Sequence, residues 1–172
     1  MHQLILLRHA KAAPEGAAPD HDRALTDAGR TAAAAIGQAM KRAGLAPDVV
    51  LVSTAARTQG TLAQLEAANV WEEWPNIDVL PALYMASAGQ IRDILRALPE
   101  TVRSVLVIGH NPGLHEIAAA LAGTTGTKPE HKRLHDGFPT AALAEFLVTT
   151  AWHRLAAGGA TLQRFLVPKD LL

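Results

Sequence analysis

The chain has no cysteine among its 172 residues. Disulfides, thiolate zinc sites and thiol nucleophiles are thereby excluded. It also lacks a charge excess, since 16 basic residues balance 16 acidic ones. A general binder of nucleic acid or of a membrane surface would show a basic surplus, so neither partner is expected. Any attraction for an anion must come from a few placed cations. No apolar run is long enough to cross a bilayer, and no charged leader with a small-residue cleavage site precedes the first apolar run. The expected compartment is the cytoplasm. There is no glycine-rich phosphate loop of the nucleotide-binding type. No repeat or linker interrupts residues 1–172, so one domain is expected. Its 49% apolar residues are enough for a sizeable core.

Buried strands that stop at polar residues are what the chain does have. Leu4-Ile5-Leu6-Leu7 has no helical period and reads as a strand covered on both faces. It stops at Arg8-His9. Asp48-Val49-Val50-Leu51-Val52 is a second such strand and stops at Ser53. Arg57 follows in the first turn of the next helix. Ser104-Val105-Leu106-Val107-Ile108-Gly109 is another, followed by His110-Asn111. Each of these groups alone reads equally well as a surface residue or a turn cap. Together they matter, because α/β sheets bind ligands beyond the carboxyl ends of their strands.

The connecting segments read as follows. Ala12 to Arg23 is a loop by composition, placed to wall the strand-end pocket. Thr26 caps a helix running to about Arg42, with Ala32, Ile36 and Met40 inward, and the Arg57 helix runs to about Ala68. Ile77 to Leu80 is a short strand, followed by a loop over Ala82 to Ala86. Ser87 and Gln90 form a capping box for a helix that turns Ile91, Ile94, Leu95 and Leu98 inward. After a helix ending at Gly123, residues 123–139 read as a solvated loop. His131 and His135 lie there at a metal-site spacing, but glycine and proline bracket them and no apolar face accompanies them. Ala141 to Thr149 and Thr161 to Val167 are expected as strands at the sheet edge, one of them antiparallel.

Arg8, Arg57, His9 and His110 around one anion suit phosphoryl chemistry. Arginines neutralise equatorial oxygens while a histidine attacks in line. Nearby cations should lower the pKa of His9 and keep it unprotonated, as a nucleophile must be. The scheme requires neither metal nor cofactor.

The arrangement resembles the histidine phosphatase superfamily, also called phosphoglycerate mutase-like. The residues that carry the resemblance are Leu7-Arg8-His9-Ala10, Leu25-Thr26-Asp27-Ala28-Gly29, Ser53 to Arg57, and Gly109-His110-Asn111, in that order. The resemblance implies a three-layer α/β/α sandwich with a mixed, mostly parallel central sheet. It implies that His9 becomes phosphorylated and that Arg8, Arg57 and His110 bind the phosphoryl group, with Ser53 and Asn111 as further substrate-binding positions. Within the superfamily the chain looks like the short SixA-type phosphohistidine phosphatases. Ala10-Lys11, Leu83-Tyr84, Phe138-Pro139-Thr140 and the ending Pro168-Lys169-Asp170-Leu171 suggest that group, as does the absence of long insertions. The implied partner is a phosphohistidine-bearing protein, such as a phosphotransfer domain, or else a small phosphate ester. A phosphate-dependent binding module without turnover is the alternative from another class.

One departure is visible. Many members carry a glutamate after the third strand as general acid, and Ala82-Leu83-Tyr84-Met85 has none. The proton donor is either missing or supplied elsewhere, with Asp20 and Asp22 as the candidates.

Overall fold

The computed structural model describes residues 1–172. Six strands form one sheet: β1 (His2–Arg8), β2 (Val49–Ser53), β3 (Asn76–Leu80), β4 (Ser104–Gly109), β5 (Leu143–Val148) and β6 (Ala160–Leu166). Their order is β3-β2-β4-β1-β5-β6. The first four are mutually parallel, and β5 runs against both β1 and β6. The mixed sheet with one antiparallel strand near its edge is as expected.

Five helices cover it: α1 (Asp27–Arg42), α2 (Ala56–Ala67), α3 (Ala88–Arg96), α4 (Gly113–Ala122) and α5 (Pro129–Asp136). The alternation of β1 assigns them to layers, because successive side chains point to opposite faces. Ile5 and Leu7 pack with Ile36 and Met40 of α1 and Leu62 and Leu65 of α2. Leu4 and Leu6 pack with Ile91 and Leu95 of α3, Leu114 and Ile117 of α4, and Leu134 of α5. Both faces of β1, β2 and β4 are therefore dry, which is why these strands are unbroken apolar runs. Edge strand β3 is not, and its Ile77 and Val79 reach solvent.

Local signals set the helix starts. The Thr26 hydroxyl accepts the Gly29 amide at 3.0 Å. Ser87 and Gln90 form the reciprocal capping box. Each such cap contributes about 1 kcal/mol. Two glycines allow loops to press against helix starts. A Cβ on Gly29 would collide with the Lys11 carbonyl, and one on Gly113 with the Ala86 carbonyl.

The expectation for residues 123–139 is corrected. Pro129–Asp136 is α5, not solvated loop. It escapes a periodicity test because only His131 and Leu134 are buried in it. Its histidines do chemistry with carbonyls. His131 Nε2 donates to Ala122 O at 3.2 Å and His135 Nε2 to Gly123 O at 2.8 Å, satisfying the end of α4. His115 of α4 donates back to Leu134 O at 2.7 Å. The two α5 rings are neighbours, 4.7 Å between centroids, but no third metal-ligating side chain joins them. No helix is long and apolar enough to cross a membrane.

Candidate active site

The pocket forms where adjacent strands send their helices to opposite faces. β1 leads to α1 on one side, while its neighbour β4 leads to α4 on the other. Register pairs Arg8 with Gly109, so Arg8-His9 and His110 emerge side by side. β2 lies on the far side of β4 and delivers Ser53. A cavity of about 330 Å³ opens above these ends, lined by Arg8, His9, Arg57, His110 and Asn111 among others.

His9 is buried, and its Nδ1 lies 2.8 Å from Ala10 O. A carbonyl only accepts, so Nδ1 carries the proton and Nε2 keeps a lone pair. Burial lowers the pKa of His9 to about 4, with Arg8, Arg57 and Arg23 adding repulsion against the bond to Ala10. The ring is thus neutral at physiological pH, as a nucleophile requires. The expected influence of neighbouring cations is present, but burial is the larger cause.

His110 lies 5.3 Å from His9 between ring centroids. Its Nε2 is 2.7 Å from Ser53 Oγ. That oxygen also accepts the Ala55 amide at 3.3 Å. The other ring nitrogen, Nδ1, is buried and has no partner. Burial, then the charge of Arg57, lowers the pKa of His110 to about 3. Ser53 itself is fully buried and absent from the cavity wall. Its hydroxyl meets His110 from beneath.

The arginines are held by one edge each. Arg8 Nη1 donates to Phe138 O at 3.1 Å. Arg57 Nη1 donates to Asp20 O at 2.8 Å and Nη2 to Asp20 Oδ2 at 3.2 Å. Both Nε–H groups are buried and unpartnered. With His110 Nδ1 they make three buried polar atoms without partners, on residues that line one cavity with His9. Buried donors are nearly always paired, so this constellation calls for an anion. Asn111 also lines the cavity, but its Nδ2 serves Phe138 O at 2.8 Å. One carbonyl thus fixes both Arg8 and Asn111.

The loop expected to wall the pocket does so, through Ala12, Glu15, Asp20 and Arg23, and Lys11, Met85 and Thr140, which sequence reasoning missed, complete the lining. Arg23 binds Asp20 Oδ1 through Nε at 3.2 Å and Nη2 at 2.8 Å. Tyr84 O–H donates to Asp20 Oδ2. These bonds hold the Asp20 carboxyl far below the usual range, with Tyr84 the largest cause, and raise the pKa of Tyr84 in turn. Asp20 is therefore in the site as a carboxylate. Asp22, the other candidate donor, is exposed and outside the cavity wall. The spacing signal that could have found Arg23 is its place two residues before Leu25-Thr26, but its direction is set only by the folded loop.

Comparison with known proteins agrees with this geometry. Residues 4–83 match the family described as the histidine phosphatase superfamily (branch 1). That stretch holds Arg8, His9, Ser53 and Arg57, while His110 lies beyond it. An uncharacterised protein of Mycobacterium tuberculosis is 34% identical over 167 residues, covering 95% of this chain and 100% of its own. A candidate phosphohistidine phosphatase SixA from Nakamurella multipartitia has 33% identity and a TM-score of 0.83, over 97% of this chain and 96% of that one. The protein histidine phosphatase SixA complexed with tungstate has 28% identity and a TM-score of 0.78, over 99% of both. The motifs, the α/β/α sheet order and these full-length likenesses lead to one conclusion: the chain belongs to the histidine phosphatase superfamily.

Proposed function

We propose that this chain is a metal-independent phosphatase that removes the phosphoryl group from phosphohistidine in a protein, through a phosphohistidine intermediate on His9. The observation that carries the reading is the free lone pair of His9 Nε2 in a cavity it shares with Arg8, Arg57 and His110, where the two arginine Nε–H donors and His110 Nδ1 are buried without partners. The donors bind phosphoryl oxygens and strengthen as charge develops on them. His9 Nε2 attacks phosphorus in line, and the phosphorus–nitrogen bond of the substrate breaks. The leaving imidazole, protonated on its other nitrogen, departs as a neutral molecule with the bonding pair. Water then attacks phospho-His9, releasing orthophosphate and a proton and restoring the lone pair.

The state of the acids supports phosphohistidine over alkyl esters. Asp20 is held ionised and the Tyr84 proton is held by Asp20. Neither gives a proton readily at neutral pH, and an alkoxide leaving group needs one. General acid catalysis supplies about a hundredfold to ten-thousandfold. Activated aryl phosphates, which leave without help, are the favoured small esters.

The test uses a phosphotransfer domain labelled on its histidine. The unsubstituted protein should release labelled orthophosphate in the presence of chelator, and His9→Ala should neither release it nor become labelled. Normal turnover by His9→Ala, with His110→Ala dead and unlabelled, reverses the two roles. Activity lost to chelator and restored by zinc refutes the metal-free scheme.

A further inference from the structure

We infer that Met85 is a specificity residue that packs against the aromatic ring of the leaving group. The inference deepens the phosphatase reading and rests on it. The cavity wall is polar apart from Ala12 and Met85, so Met85 is its one large apolar side chain. It is 49% exposed. The other exposed large apolar residues lie at the chain ends, Met1 and Leu172, or at the β3 edge, Trp74, Ile77 and Val79. Met85 alone stands over the site.

Its backbone is in the left-handed region, with φ at 51°. The turn has a packing reason, since the next carbonyl, Ala86 O, presses on Gly113 at the start of α4. Packing explains the turn but not the side chain. A glycine would take this conformation without strain. The chain instead keeps a long thioether there, with Sδ 3.6 Å from Arg57 Nη2.

In-line displacement says what that thioether meets. The nucleophile His9 is buried at the strand ends. The leaving group departs from the opposite side of phosphorus, toward the cavity mouth. Met85 borders that exit. A planar ring there, the imidazole of phosphohistidine or the ring of an aryl phosphate, gains a sulfur–aromatic contact. A small hydrated alcohol gains little.

The experiment compares kcat/KM on 4-nitrophenyl phosphate and a phosphohistidine protein with kcat/KM on ethyl phosphate. Met85→Ala should lower both ratios about three- to tenfold, the size of one sulfur–aromatic contact. Met85→Gly, which relieves the backbone, should do the same and guards against a folding defect. Met85→Leu, still apolar and long but without sulfur, should recover only the packing part of the aryl preference and fall between the unsubstituted protein and Met85→Ala. Ratios that move less than twofold in both Ala and Gly variants overturn the inference, provided orthophosphate still competes in the unsubstituted protein. Absence of that competition takes down the phosphatase reading and the inference with it.

Discussion

Lowering the pH from 7 to 5 should weaken the fold while leaving His9 neutral. His9 has a folded pKa of about 4, against about 6.5 in an unfolded chain. Between those values the unfolded chain binds a proton that the folded one refuses, so stability rises with pH across the window. The contribution is nearly complete above pH 6.5, declines below it, and stops declining below about pH 4. At pH 5 the loss from His9 alone is about 2 kcal/mol. His110, lowered to about 3, adds a loss of the same sign. His9→Asn removes one titrating ring and keeps a polar group. Urea unfolding at pH 7 and pH 5 should therefore show a steeper loss for the unsubstituted protein than for His9→Asn, by about 2 kcal/mol. Meanwhile His9 stays neutral, so kcat/KM should be level from pH 7 to 5 and fall only toward pH 4. Parallel pH profiles of stability in the two proteins, or an acid limb near pH 6.5, would refute the electrostatic account of His9.

Two further outcomes are expected. Arg57→Lys keeps the charge but loses the fork that serves Asp20 with Nη1 and Nη2 and leaves Nε–H unpartnered. It should lower kcat/KM about ten- to hundredfold with the fold retained, and a large drop in melting temperature would mark Arg57 as structural instead. Tyr84→Glu sets a second carboxyl against Asp20, where two like charges keep one proton between them. It should narrow the gap between aryl and alkyl phosphates about tenfold or more, and an unchanged gap would show that no acid can act from that position.

The readable parts of the site are those where packing forces composition. β1, β2 and β4 are buried on both faces, so their apolar runs end abruptly at Arg8, Ser53 and Gly109. Those endings point to the pocket. Thr26 and Ser87 were legible as caps because a cap is local chemistry. α5 was not, because it buries only two residues and its histidines bind carbonyls that belong to α4. Nor were the roles within the pocket. That Ser53 serves His110, and that Asp20 is a saturated carboxylate instead of an acid, depends on directions set by the folded loop.

Strand order has a consequence for how the chain is made. β1 and β2 never touch, because β4 lies between them. Arg8 and Ser53 are both synthesised in the first third of the chain, yet the strand that spaces them arrives at residues 104–109. A nascent chain ending before β4 holds His9 and Arg57 and can pair β2 with β3, but has no strand that joins β1 to β2. Its β1 and β2 are apolar strands with open edges, free to pair wrongly. Assembly of the pocket is thus a late event in translation, gated by the insertion of a central strand.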